Sequence, residues 1–130
     1  MHNRKEADYT DYIQNVLEDL AESVEIARLS GITDEKILLD PGIGFGKTYE
    51  NNLEIMNNME ILHSFGYPLV LGASRKSVIG MTLDLPVSER LEGTLVTTVI
   101  AVMKGAMFVR VHDIKENVRT IRMTEAIINK

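Results

Sequence analysis

Apolar residues recur at three- and four-residue spacing through Ile13, Val16, Leu17, Leu20, Val24 and Ala27, the period of a helix with one buried face. Thr10 stands where such a helix would be capped, and Ser30-Gly31 where it would stop. The pattern then changes. Ile37-Leu38-Leu39 is a short unbroken apolar run, which predicts a strand over Lys36–Asp40 buried on both faces, as parallel strands commonly are. Pro68–Ala73 and Met107–His112 are two more runs of this kind. Between them, Leu53, Met56, Met59, Ile61 and Leu62 predict a helix over Tyr49–His63, with Gly66 in the C-cap position. Val78–Pro86 reads as irregular, bounded by Gly80 and Pro86. Ser88 is placed to cap a helix over Glu89–Lys104 that carries Leu91, Leu95, Thr98, Val99, Val102 and Met103 on one face, and Gly105 stops it. Asp113 is placed to cap a last helix bearing Ile114, Val118, Ile121, Ile127 and Ile128.

A helix followed by three strand-helix units predicts an α/β fold with parallel strands. Pattern alone leaves an open sheet and a barrel both standing. Polar residues close every strand instead of gathering at one crossover point, which favours the catalytic face of a (β/α)₈ barrel. A whole barrel takes about 250 residues and this chain has 130. The expectation is therefore one partial domain over residues 1–130, the C-terminal half of a (β/α)₈ (TIM) barrel. It would hold three complete strands and a remnant of a fourth just before His2.

Composition narrows the chemistry. At 45% hydrophobic and 25% charged residues the chain can form a packed core. A net charge of -5, with no run of basic residues, speaks against nucleic acid as a partner. There is no cysteine, so thiolate catalysis, disulfides and cysteine-ligated zinc are excluded. The polar opening Met1–Glu6, without a signal segment or an apolar span long enough for a bilayer, leads us to expect a cytoplasmic protein with no membrane partner.

The densest stretch is Asp40-Pro41-Gly42-Ile43-Gly44-Phe45-Gly46-Lys47-Thr48. Pro41 stands where a Walker loop needs its first glycine, and the glycines spell G-x-G-x-G instead of the dinucleotide pattern, so neither phosphate loop fits. Asp40 has two candidate roles: to accept a fork of N–H bonds from an amidine-like ligand edge, or to cap the Pro41 turn through backbone amides. Gly42, Gly44 and Gly46 supply positive φ, and Phe45 forms a ligand wall or a local lid. Ser74-Arg75-Lys76-Ser77 is either a cluster of donors, with Lys76 aimed at a ring carbonyl or phosphate and Ser77 at a carboxylate, or a solvated basic turn. Arg110 and His112, two apart in a strand, share a side. They suit an anionic ligand, phosphate above all, unless Arg110 simply pairs with Asp113 or another carboxylate. His63 reads as a surface residue.

Asp40-Pro-Gly-Ile-Gly-Phe-Gly-Lys47, Gly72-Ala-Ser-Arg-Lys-Ser77 and Arg110-Val-His-Asp113 occur in this order and at this separation in the dihydropteroate synthases, the folate-pathway enzymes inhibited by sulfonamides. Met1-His2-Asn3 resembles the end of that family's fifth strand. The resemblance spans the whole chain but only the C-terminal half of the family's barrel. It implies a transferase that joins 6-hydroxymethyl-7,8-dihydropterin pyrophosphate to p-aminobenzoate and releases pyrophosphate. It also implies that Asp40 holds the pterin's amino-pyrimidinone edge and that Lys76 donates to the pterin ring. Arg110 would lie against the pterin and reach the pyrophosphate, which His112 also contacts, while Gly44, Phe45 and Ser77 surround p-aminobenzoate. Lys76, Arg110 and His112 are thus the candidate catalytic residues. Magnesium is implied too, with its ligands in the N-terminal half that this chain lacks, so no metal ligand is expected here. Activity is expected only in the full barrel, with a homo-oligomer or association with the other barrel half. Two alternatives remain: a noncatalytic half-barrel assembly module, and a relative of the pterin methyltransferases, which would have no reason to keep Arg-x-His.

Overall fold

A computed structural model of the chain describes the backbone of residues 4–45 and 47–130, and the side chains from Tyr12 onward except that of residue 46. The proposed strand remnant at Met1-His2-Asn3 lies outside the described residues. Helix α1 spans Arg4–Leu29. It extends further toward the N-terminus than expected, so Thr10 lies within the helix and is not its cap. Val16 and Val24 form its buried line, flanked by Tyr12, Ile13, Leu17, Leu20 and Ala27. The helix ends as its sequence suggests: Gly31 has φ +87°, its N–H donates to Arg28, and the Ile32 N–H donates to Ala27, a Schellman closure.

The sheet is short and wholly parallel. Leu39 bridges Leu69, strand β1 (Val70–Leu71) pairs with strand β2 (Phe108–Val109), and the register sets Val70 beside Phe108 and Leu71 beside Val109. The three lines of chain therefore lie side by side in sequence order. Side chains alternate across a pleat, so Ile37, Leu39, Leu69 and Leu71 turn toward the helices and are buried. Leu38 and Phe108 lie on the other side and remain 53% and 51% exposed. The run at Ile37–Leu39 is thus buried on one face, not two.

Helix α2 (Tyr49–Asn57) begins with a capping box: the Thr48 hydroxyl accepts the Asn51 N–H while the Asn51 side chain accepts the Thr48 N–H. Its expected continuation to His63 is broken at Asn58, whose side-chain amide donates to the Glu54 carbonyl at 2.9 Å and so competes with the helical backbone. The chain goes on as a 3₁₀ turn over Met59–Phe65 and stops at Gly66, φ +78°. Ile55, Met59 and Leu62 are fully buried there, each stabilising the fold by about 1.5–3 kcal/mol.

Within Val78–Pro86, expected to be irregular, the chain forms most of helix α3 (Ser77–Leu83). Its Val78 and Ile79 reach the core, and Gly80 lets the Arg90 guanidinium pass where a Cβ would meet it at 2.2 Å. Ser88 sits in a 3₁₀ turn over Val87–Glu89, and helix α4 spans Leu91–Met103 with Arg90 as its N-cap. Of the residues that the pattern assigned to the inner face of α4, Thr98 is buried, Leu91, Leu95, Val99 and Val102 are partly covered and Met103 is exposed. The buried line is Thr94, Thr98 and Ala101, where short side chains let α4 approach helix α5 (Ile114–Ile128) in the most extensive helix–helix contact among the described residues. Gly105, φ +86°, ends α4 and faces His63, whose Nε2 lies 2.7 Å from the Lys104 carbonyl.

Candidate functional site

Parallel pairing puts the C-terminal ends of all three strand lines at one edge of the sheet. Asp40, Gly72 and Arg110 follow there on the side away from the helices. Arg110 reaches across Gly72 and donates from Nη2 to Asp40 Oδ2 at 2.6 Å. A Cβ on Gly72 would lie 2.7 Å from that nitrogen, so glycine is what allows the crossing. The other Asp40 oxygen accepts the Gly42 N–H at 2.7 Å. Asp40 therefore caps its own turn and binds a planar cation at once. The carboxylate that meets Arg110 is Asp40 and not Asp113.

The glycine loop is held from below. Gly42 and Gly44 have φ +76° and +88°, the positive values expected of them, while Gly46 lies outside the described residues. The Gly44 N–H donates to the Asn52 side-chain oxygen at 2.9 Å, and Asn52 is buried in the first turns of α2. Phe45 stands exposed at the tip, with the Lys76 ammonium 4.7 Å from its ring centroid, a cation–π contact. Lys76 also donates to the Ile43 carbonyl. Burial lowers the Lys76 pKa below the ordinary lysine value; the Asp40 charge opposes that shift and the Arg110 charge adds to it. Asp40, Lys76, Arg110, Gly44 and Phe45 thus form one group, in which two cations face one carboxylate.

His112 and Ser77 sit beside this group. The Ser74 hydroxyl accepts the His112 backbone N–H at 3.2 Å and lies 2.8 Å from His112 Nδ1. Ser77 opens α3 and is exposed. Arg75 is not a solvated basic residue: its guanidinium grips Asp113 with Nη2–Oδ1 2.9 Å and Nε–Oδ2 3.3 Å. That grip takes the Asp113 carboxylate away from the helix cap it was expected to form, and α5 has no side-chain cap. Sequence reasoning passed over Asn52, gave Ser74 and Arg75 only as members of a donor cluster, and gave Asp113 only as a helix cap or an alternative partner for Arg110. Two signals were available: the spacing Thr48-x-x-Asn51 marks a helix start and so places Asn52 in its first turn, and Ser74 shares the alternation of Gly72.

The arrangement offers a paired carboxylate acceptor, two cations and a flat aromatic wall above a sheet edge. It suits a planar heterocycle with an amidine-like edge and an anionic tail. Among the described residues, no group of His, Cys, Asp and Glu could hold a metal ion, and no helix is long and apolar enough to cross a membrane.

Comparison with known proteins agrees with that chemistry. The profile of the family described as pterin binding enzyme matches residues 1–112. The dihydropteroate synthase of Clostridium beijerinckii is 56% identical over 131 residues, covering 100% of this chain and 49% of the relative. That of Bacillus subtilis is 50% identical over 130 residues, covering 100% and 46%. Among solved structures, the dihydropteroate synthase of Clostridium difficile in the presence of pteroic acid superposes with TM-score 0.88 at 45% identity, over 92% of this chain and 45% of that one. The Yersinia pestis enzyme with a pterin-sulfa conjugate superposes with TM-score 0.89 at 37% identity, over 92% and 46%. The chain spans about half the length of the curated relatives it matches. With its α/β fold, its strand-end residues and a family profile matched over most of its length, the chain belongs to the pterin binding enzymes.

Proposed function

We propose that this chain is the C-terminal half of a dihydropteroate synthase barrel and carries the part of the site that holds the pterin and its leaving group. The observation that carries this is the meeting of Asp40, Lys76 and Arg110 at the ends of three adjacent parallel strand lines. The exposed Leu38 and Phe108 support the half-barrel, because that side of the sheet would be the inner wall of a closed barrel.

In the reaction, the amino-pyrimidinone edge of 6-hydroxymethyl-7,8-dihydropterin pyrophosphate takes the acceptor positions on Asp40. Arg110 then leaves Asp40, lies against the ring and turns to the pyrophosphate. Lys76 donates to the ring heteroatoms, and its lowered pKa matches a partly desolvated donor. The amine of p-aminobenzoate, placed by Gly44, Phe45 and Ser77, attacks the methylene carbon. As the new carbon–nitrogen bond forms, the carbon–oxygen bond breaks and its electron pair departs with pyrophosphate. The attacking nitrogen gives up its proton to solvent. Arg110 and His112 stabilise the charge that accumulates on the leaving group. No covalent nucleophile is required.

Magnesium is expected of the family, but the described residues do not fit it, and its ligands are assigned to the half of the barrel that this chain does not span. Activity accordingly needs that other half, and the isolated chain is inactive. A cytoplasmic location and a homo-oligomeric whole enzyme complete the proposal.

The test is to express the chain with the missing N-terminal half of a relative and assay pyrophosphate release with both substrates. Recovery of synthase activity is the expected result. Asp40→Asn in that assembly should weaken pterin binding by about 2–4 kcal/mol, since an amide donor would then face a ligand donor; unchanged affinity would return Asp40 to turn capping alone.

A further inference from the structure

Beyond the last backbone pairing of β1 and β2, side chains continue the ladder: Ser74 meets His112, and Arg75 meets Asp113. The second rung has a cost that needs explaining. Ala73 to Lys76 is a turn closed by the Lys76 N–H donating to the Ala73 carbonyl at 3.1 Å, and Arg75, its third residue, has φ +58°. Glycine is the residue that position favours. An arginine there implies that its side chain is needed.

We infer that the Arg75–Asp113 pair is a positioning clamp that holds residue 75 in the left-handed region and thereby sets Lys76 over Phe45 with its ammonium on the Ile43 carbonyl. Both partners are themselves braced. The Arg75 N–H donates to the Thr94 hydroxyl at 3.0 Å and its carbonyl accepts from Arg90 at 2.9 Å. The Asp113 carbonyl accepts from the Asn117 backbone at 3.1 Å and from its side chain at 2.8 Å. Asn117 in turn accepts from the Thr98 hydroxyl. Thr94, Thr98 and Asn117 are almost wholly buried, so the two long helices α4 and α5 carry the clamp as a rigid frame. The buried hydroxyls of α4, Thr94 and Thr98, acquire a purpose here. Arg75 and Asp113 are positioning residues, since each acts on the ligand only through Lys76. Lys76's use by a pterin rests on the function proposed above; its placement does not.

The experiment uses the full 130-residue chain without ligand, so that failure of the clamp and failure of the pterin assignment are read separately. A lysine side chain over an aromatic ring has its methylene protons shifted upfield in the NMR spectrum, and that shift for Lys76 is the readout. The amides of Leu39, Leu69 and Leu71 report that the sheet is intact. D113N should lose most of the Lys76 shift, R75G alone should keep it, and R75G/D113N should recover it, because glycine holds the positive φ without a clamp. Full retention in D113N, or loss in R75G/D113N equal to that in D113N, would overturn the clamp, as would absence of the shift in the unmodified chain. Where D113N fails to fold, R75G decides alone: a retained shift supports the clamp and a lost one overturns it.

Discussion

Asp40 and Arg110 form a short ion pair, yet the arginine side chain is 63% exposed and the carboxylate 30%. Pairs this open contribute only about 0–1 kcal/mol. Arg110→Met should therefore leave the melting temperature within a few degrees of the unmodified chain while abolishing most turnover in the complete enzyme. A collapse of the melting temperature would make the pair a structural one. Lys76 titrates in the opposite sense to a stabilised cation. Its folded pKa lies below the ordinary 10.5 because burial penalises the ammonium, so between that lowered value and 10.5 the unfolded chain binds more protons than the folded one, and this residue's contribution to stability rises with pH. The penalty is present in full at neutral pH and below. Melting curves of the unmodified chain and Lys76→Met, compared across pH 7 to 10.5, should show the unmodified chain gaining relative to the variant as pH rises; a constant difference would refute it.

Among the elements, α2 is tied most directly to the site. Thr48 and Asn51 fix where it starts, and that start carries Asn52 to the Gly44 amide. Asn52→Ala leaves that amide without its partner beside a buried position, a loss of about 1–3 kcal/mol. The expected phenotype is a lower denaturation midpoint together with faster amide exchange at Gly44. A variant that melts normally and protects Gly44 would detach the helix from the loop. Most of the elements were legible from spacing: α1, α4, α5, the stops at Gly31, Gly66 and Gly105, and three apolar runs in order. Misjudgements fell where local and tertiary forces compete. Asn58 diverts α2 into a 3₁₀ turn through its own side chain, and α3 forms because Val78 and Ile79 find the core, which no local period announces in seven residues.

At the scale of the whole molecule, one face of the sheet is covered by helices and, among the described residues, the other is not. Leu38 and Phe108 on the uncovered face are each about half exposed, and among the described residues each outer line of the sheet pairs on one side only. Surfaces of this kind favour association. Sedimentation of the purified chain should show species larger than a monomer, shifting to a defined complex when the missing barrel half is added. A chain that stays monomeric at every concentration and forms no complex with the other barrel half would contradict the half-barrel proposal.

Order along the chain was enough to identify the α/β class, the direction of the strands and the residues at their ends, because apolar period and terminating glycines are local properties of the backbone. Asp40, Lys76 and Arg110 were recognisable one by one for the same reason: each is a polar residue at or near the C-terminal end of an apolar run. Their partners were not. That Asp40 takes Arg110 while Asp113 takes Arg75 depends on register, and register depends on which side of three parallel lines meets the helices. The same register puts Val109 beside Leu71 on the covered face and leaves Phe108 on the open one. Alternation within a strand says which residues share a side; only packing against the helices decides which side is buried, and with it which charges meet.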